Sequence, residues 1–257
     1  MGKLPAGVRI VGVCAVLVLG LANHTQAGAR RFTYLYEATT AAPRSIESET
    51  WVTWKTSPRE ERRFQEVDFR QELELGITDR LQLAVYLADW SYLEDPGSNG
   101  HGFRYDASAV ELIYNLSNPI IDPIGSALYG EVRAGPDLLE LESRLILQKT
   151  LHRVVLGYNA ILEAVWEGEE LEERGGEFAQ TVGVSFELSP AWMIGLEMLH
   201  EVELPDWAEA ESSVLYAGPN LSYRRGNWWA TVTSLAQVTN IASEVDFQTR
   251  VIFGFEF

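Results

Sequence analysis

Apolar and polar residues alternate with a period of two along most of this chain, and that period predicts strands. Val67, Phe69, Gln71, Leu73 and Leu75 share a face opposite Glu66, Asp68, Arg70, Glu72 and Glu74. After a short turn from Gly76 to Asp79, Leu81, Leu83, Val85 and Leu87 share a face of the next strand, so the two read as a hairpin with one apolar wall. Leu139, Leu141, Leu145 and Leu147 lead into a turn at Thr150 to Arg153, and Val154, Leu156, Tyr158, Ala160, Leu162 and Ala164 follow it. Phe178, Val182, Val184, Phe186 and Leu188 precede Trp192, Ile194, Leu196 and Met198 in the same way. The last residues carry Val245, Phe247, Thr249, Val251, Phe253, Phe255 and Phe257 on one face, with Asp246, Gln248, Arg250, Ile252, Gly254 and Glu256 on the other. No helical period of comparable length competes.

Strands are predicted at 31–39, 47–56, 62–75, 80–92, 104–117, 126–134, 138–150, 153–166, 177–188, 191–203, 213–224, 227–237 and 245–257. Their connections alternate in character: GITD, TLHR, LSPA and RRGN are tight, while SYLEDPGSNGHG, EGEELEERGGE and PDWAEAESS are long and polar. Membrane barrels show this asymmetry, with short periplasmic turns, longer outer loops and an even number of strands. Loop parity makes 31–39 the surplus segment, because a wall strand there would start from the wrong side. The stretch RFTYLYEATT is therefore a lead-in, a periplasmic edge or a plug, and the wall is expected to have about 12 strands, with ten and fourteen as alternatives.

The N-terminus changes the picture further. Lys3 and Arg9 precede an apolar run from Ile10 to Leu21, followed by small residues at Ala27, Gly28 and Ala29. This pattern predicts a signal peptide over 1–29, cleaved after Ala27 or Ala29, with the barrel as one domain over 30–257. The run is too short to span as a helix, which takes roughly 20 residues. Cys14, the one cysteine, lies inside the leader, so the mature chain is expected to have neither disulfides nor a thiolate metal site. The net charge is −17, and losing Lys3 and Arg9 makes it −19. Such a charge excludes nucleic acid as a partner.

Alternation alone does not say which face is outside. The face opposite the apolar one is densely charged, and a twelve-stranded soluble barrel would enclose an apolar interior too wide for side chains to fill. In a membrane barrel the same charges line the lumen. Tryptophans gather near predicted strand ends, where amphipathic rings favour the headgroup level, and Trp54, Trp90, Trp166, Trp192, Trp228 and Trp229 are assigned to an aromatic girdle. The expected fold is all-β, a transmembrane antiparallel up-and-down β-barrel.

A final strand with alternating aromatics and a terminal Phe257 resembles the C-terminal signature of Gram-negative outer-membrane barrel proteins. The resemblance implies that Phe253, Phe255 and Phe257 form a signal for the barrel-assembly machinery. FTYLYEATT, WVTWKTS, NPIIDPIGSALYGEV and VIFGFEF resemble an uncharacterised family of outer-membrane barrels loosely akin to outer-membrane transporters. The resemblance spans most of the mature chain and implies location in the cell outer membrane, among its lipids and lipopolysaccharide, but no chemistry.

Candidate lumen-lining residues follow from parity: Glu66, Asp68, Arg70, Glu72, Glu74, Glu111, Glu131, Arg133, Glu140, Glu142, Arg144, Glu163, Glu197 and Arg250, with Glu256 on the same face. Acids outnumber arginines, so an open lumen favours cations. The same groups could instead pair across strands and fill the lumen. Carboxylate pairs suited to glycoside cleavage arise by chance in so acidic a lumen, and no catalytic residue is assigned. His101 is expected in an outer loop, His152 in a periplasmic turn and His200 on the lipid-facing side near an outer strand end. His200 with Ser212 or Ser213 resembles the arrangement of outer-membrane phospholipases, without a local motif to support it. No histidine pair, phosphate loop or dedicated calcium loop is present; the acidic loop from Gly168 lacks the alternating Asp and Asn of the last, and no metal or cofactor is expected. The expected role is porin-like or transporter-like passage of small solutes with mild cation preference. The alternatives are a non-conducting structural or adhesive barrel acting through its loops and, behind it, a lipid hydrolase.

Overall fold

A wall whose strands show apolar groups on one side and ionic groups on the other has to close, because an open edge would leave backbone donors and acceptors without partners in lipid. The computed structural model describes residues 30–58, 64–94, 101–207, 210 and 213–257, and its strands close into one barrel. The expected leader lies outside the described residues. The wall is β1 (Ile46–Pro58), β2 (Gln65–Thr78), β3 (Leu81–Glu94), β4 (His101–Ser117), β5 (Gly125–Gly135), β6 (Leu138–Leu151), β7 (Val154–Glu167), β8 (Glu173–Ser189), β9 (Trp192–Pro205), β10 (Ser213–Arg225), β11 (Trp228–Gln237) and β12 (Val245–Glu256). Each strand pairs antiparallel with its sequence neighbours, and β1 pairs with β12 to close the ring, for example Thr53 with Arg250. The Phe257 amide donates to the Ile46 carbonyl at 2.9 Å, so the last residue finishes the closing seam.

Twelve strands agree with the expected number, and the chain enters and leaves the wall at the end that carries the short turns. The segment 31–39 is not a strand. Residues 30–41 run inside the barrel, and exposed residues 42–44 join them to β1 at its base, where the Arg44 amide donates to the Gly76 carbonyl at 2.7 Å. Phe32, Thr33, Tyr34, Leu35 and Tyr36 are all buried, so the two-residue period that suggested a strand does not separate two environments here.

The faces of the wall are as their chemistry requires in a membrane. Leu162 and Leu196 are each 58 % exposed on the outside, while Glu72 and Glu111 are 0 % exposed inside. Leu156 and Phe253 also stand on the outer surface. Aromatic rings form two belts. At the short-turn end Trp192, Tyr223, Trp228 and Phe253 make a chain of ring contacts at 4.4, 5.2 and 6.0 Å. Towards the long loops Trp54 meets Phe247, Trp90 meets Tyr105 and Trp166 meets Trp207. Amphipathic rings at two levels bracket an apolar band.

Trp229 does not belong to the girdle. It is fully buried inside the barrel, where its indole N–H donates to Glu47, because strict alternation sends it inward once Trp228 points out. Trp51 also faces inward and donates to Glu49 at 2.8 Å. Trp90 reaches the outside through an irregularity in β3: pairing shifts between Tyr86 and Asp89, so exposed Leu87 is followed by buried Asp89. The extra residue reverses parity beyond it, which is what a bulge does.

The interior is only partly ionic. Around the inner segment, Tyr36 and Ala38 pack with Trp51, Ile113, Tyr129, Ile146, Trp229 and Ile252, and Tyr34 packs with Leu199, Val214, Tyr216 and Leu235. The barrel thus has a packed core at this level, built on a piece of its own chain.

The orientation of the wall predicts a depth-dependent cost. Leu196→Arg, well inside the apolar band, should destabilise the barrel in lipid vesicles by about 2–4 kcal/mol. Leu188→Arg, beside the short-turn belt, should cost no more than about 1 kcal/mol. Urea titrations in lipid check both, and equal costs would contradict the placement of the band.

Candidate functional site: a lumen occupied by the N-terminal segment

An extended segment inside a closed ring has no free strand edge to pair with, so its peptide groups must be met by side chains. The path of residues 30–44 follows from that demand. The Arg30 carbonyl accepts from Ser222 and Thr231, on β10 and β11, and the Arg31 carbonyl accepts from Asn220 at 2.7 Å. The Glu197 carboxylate on β9 then accepts three successive amides, from Thr33, Tyr34 and Leu35, at 2.9, 2.8 and 3.1 Å. Converging backbone donors of this kind make an anion nest. Asn159 on β7 accepts from the Tyr36 amide at 2.7 Å and donates to the Tyr36 carbonyl at 3.0 Å, doing what a neighbouring strand would do. Gln148 on β6 takes the Ala38 amide, Asn115 on β4 donates to the Ala38 carbonyl, and Gln82 on β3 takes the Ala41 amide. The segment therefore circles the inner wall, from β11 and β10 round to β3, before entering β1.

Two glycines make room for it. A Cβ on Gly183 of β8 would lie 2.6 Å from the Phe32 ring, and one on Gly157 of β7 would lie 2.6 Å from Leu35. Neither glycine has a turn to make, so close approach is the reason for them.

Charge fixes the start of the segment. Arg30 lies against Glu49 at 2.9 Å and Glu74 at 2.6 Å, with Glu72 at 3.8 Å, and over the rings of Tyr36 and Trp51 at 4.5 and 4.9 Å. Burial works against its charge, but Glu49, Tyr36, Glu74 and Glu72 together outweigh burial and hold the guanidinium well above its ordinary value. Arg31 pairs with Glu37 at 2.6 Å, and that carboxylate raises its pKa. Arg144 and Arg250, from the wall, stack on Tyr36 and Tyr34 at 4.5 and 4.1 Å.

The residues predicted from parity all belong to strands that send them inward, but they divide into groups. Glu74 and Glu197 hold the inner segment, Glu72 stands beside Arg30 without a hydrogen bond to it, and Glu111 accepts from Tyr86 at 2.6 Å and from Tyr36 at 3.3 Å. Arg70 bridges Asp89 and Glu131, Arg133 bridges Asp89 and Glu140, and Arg144 pairs with Glu142. Glu66, Asp68, Arg70, Arg133, Glu140, Glu163 and Arg250 line a cavity of about 630 Å³ on the long-loop side of the segment, with Lys55 paired to Asp68 at 2.9 Å. Glu256 lies at the base, where its carbonyl accepts from Asn227.

Arg30, Glu47, Glu49 and the amide side chains of Gln82, Asn115, Gln148, Asn159 and Asn220 were not among the residues predicted. Their signal was present: uncharged amides at inward positions of β3, β4, β6, β7 and β10, where an aqueous lumen gives no reason to prefer them to charges.

His200 and Ser213 do meet on the outer surface, Nε2 to Oγ at 2.9 Å, and Nδ1 faces the amide nitrogen of Gln180 at 3.4 Å. Gln180 in turn accepts from Tyr158 at 2.9 Å. The side-chain partners of His200 are thus a serine and an amide. Ser212 lies outside the described residues. His152 sits in the β6–β7 turn with a φ of 56°, and His101 begins β4 instead of lying in a loop.

The nest around Glu197 carries a prediction. Hydrogen bonds to a charged group contribute about 1.5–3 kcal/mol each. In Glu197→Ala, amides 33–35 should exchange hydrogen at least about tenfold faster, while the ladder amide of Val182 stays unchanged. Mass-spectrometric exchange on detergent-solubilised protein measures it.

Among solved structures, the chain resembles the COG4313 outer membrane channel from Pseudomonas putida F1, with 10% identity and a TM-score of 0.59, over 86% of this chain and 98% of that one. It resembles the NanC porin with 7% identity and a TM-score of 0.58, over 82% and 100%. The KdgM porin in complex with disordered oligogalacturonate matches with 11% identity and a TM-score of 0.53, over 83% and 99%. Identities this low show a shared fold, that of outer-membrane barrels. Among curated proteins none matches in sequence. A family profile covers residues 24–250, and the chain therefore belongs to the family of unknown function DUF6662.

Proposed function

We propose that this protein is an outer-membrane channel for small solutes whose resting state is closed by residues 30–44. One observation carries the reading: apart from the contact of Arg44 with Gly76 at its base, the segment is held by side chains and not by a strand ladder. It can leave without breaking a pair of wall strands. The solved barrels described above are named as a channel and two porins, which favours passage over catalysis. In this reading the outer wall meets outer-membrane lipids and lipopolysaccharide, Phe253, Phe255 and Phe257 serve recognition by the assembly machinery, and no residue is catalytic. The cavity on the long-loop side carries Glu66, Asp68, Asp89, Asp106, Asp137, Glu140, Glu163 and Glu167 against Lys55, Arg70, Arg104, Arg133 and Arg250. That excess of acids gives an opened lumen a mild preference for cations.

Planar-bilayer recordings test the proposal. Wild type should be nearly silent. Gly157→Val with Gly183→Val, which fills the space of Leu35 and Phe32, should open steady conductance, and so should deletion of residues 31–41. If both variants are as silent as wild type, the channel reading fails and the barrel acts without conducting, through its loops. In the opened variant, Glu66→Gln with Glu163→Gln should lower the preference for cations, read as a shift in reversal potential under a salt gradient; no shift would remove the proposed selectivity.

A further inference from the structure

Glu49, Glu72 and Glu74 meet at the base of the lumen, with one carboxylate oxygen from each lying within 4.8 Å of the other two. All three residues are buried. Arg30 is hydrogen-bonded to Glu49 and Glu74 but stands 3.8 Å from Glu72, too far for a hydrogen bond. Both oxygens of Glu72, 0 % exposed and aimed into the cluster, accept no hydrogen bond from any described residue. A buried carboxylate in that condition calls for a further positive partner, since desolvated charge is costly unless it is paired.

The donors are oxygen only, which selects hard cations. Oxygens bound to calcium at 2.3–2.6 Å lie up to about 5 Å apart across the ion, whereas those on magnesium, at 2.0–2.1 Å, lie up to about 4.2 Å apart. The three oxygens, all within 4.8 Å of one another, are close enough to share one ion, and calcium tolerates an irregular set of oxygens where magnesium demands a near-ideal octahedron.

We propose that Glu49, Glu72 and Glu74 form a calcium site that Arg30 occupies as a tethered competitor, so that calcium binding and docking of the N-terminal segment exclude one another. The inference rests on that segment being separable from the wall, as the proposed function also requires. A calcium ion would take the two oxygens that now accept from Arg30 and add the unpartnered oxygens of Glu72. Release of Arg30 would free the start of the segment and leave the rest to the Glu197 nest and the amide side chains of the wall. Linkage makes the effect reciprocal: whatever factor Arg30 removes from calcium affinity, calcium removes from docking of the segment.

The test uses the full-length protein in detergent, titrated with calcium chloride after chelation of trace metal. Calorimetry reads binding, and so does tryptophan fluorescence, because the Trp51 indole donates to Glu49 at 2.8 Å. Arg30→Gln should bind calcium about 10- to 100-fold more tightly than wild type. Adding Glu72→Gln should abolish that binding, and magnesium should bind Arg30→Gln more weakly than calcium. Heat-modifiable migration on gels confirms that each variant is a folded barrel. In wild type, saturating calcium should speed hydrogen exchange at amides 33–35. Equal calcium affinity in wild type and Arg30→Gln, binding that survives Glu72→Gln, or binding that leaves exchange unchanged would each overturn the proposal. None of these readouts involves current, so a failure here is distinct from a failure of the channel reading.

Discussion

Peptide groups buried in the lumen between residues 30 and 41 find their partners chiefly on side chains of a wall whose own backbone is already paired, and the interior of this barrel is organised around that constraint. Wall strands pair with one another round a closed ring, leaving mainly side chains to receive a further segment. Amides suit the task because they both donate and accept, and Asn159 uses both capacities on Tyr36. A carboxylate suits a run of donors, and Glu197 gathers three. Once the backbone is held, the apolar side chains of the segment fall into packed clusters, with Tyr34 and Tyr36 at their centres.

The same arrangement explains why the interior carries so much charge without being an open aqueous pore at that level. Arginines from the wall serve two purposes at once. Arg144 pairs with Glu142 and stacks on Tyr36, while Arg250 stacks on Tyr34 and donates to the Thr33 carbonyl. Arg30 does the converse, bringing a positive charge from the segment to carboxylates of the wall. Ionic groups thus help fasten the inner segment to the wall, and a cavity remains on the long-loop side.

The wall was legible in the sequence because lipid on one side and polar partners on the other impose a strict period of two over every strand. Turn lengths then supplied parity, and parity identified 31–39 as the segment without a place in the wall. Its destination was not legible, since Phe32, Tyr34, Tyr36 and the odd-numbered Thr33 and Leu35 between them are all buried and the period of two has no meaning there. Trp229 lies near a strand end as the girdle tryptophans do, but alternation turns it inward towards Glu47. The inward position of Asp89 is not legible, because a bulge in β3 reverses parity beside it and one extra residue leaves no mark on composition. The glutamates of the base were visible as acids, but their grouping around Arg30 depends on three strands and a segment far from them in sequence.

Occupation of the lumen by its own chain is the claim on which the rest stands. Ala38 is fully buried there among wall side chains, whereas Val238 lies 61 % exposed in the β11–β12 connection. Because the expected mature chain lacks cysteine, Ala38→Cys and Val238→Cys can each be labelled singly with a water-soluble maleimide. The account predicts rapid modification at 238 and protection at 38, with protection lost when Gly157→Val and Gly183→Val are added. Equally fast labelling at both positions in the otherwise native barrel would contradict it.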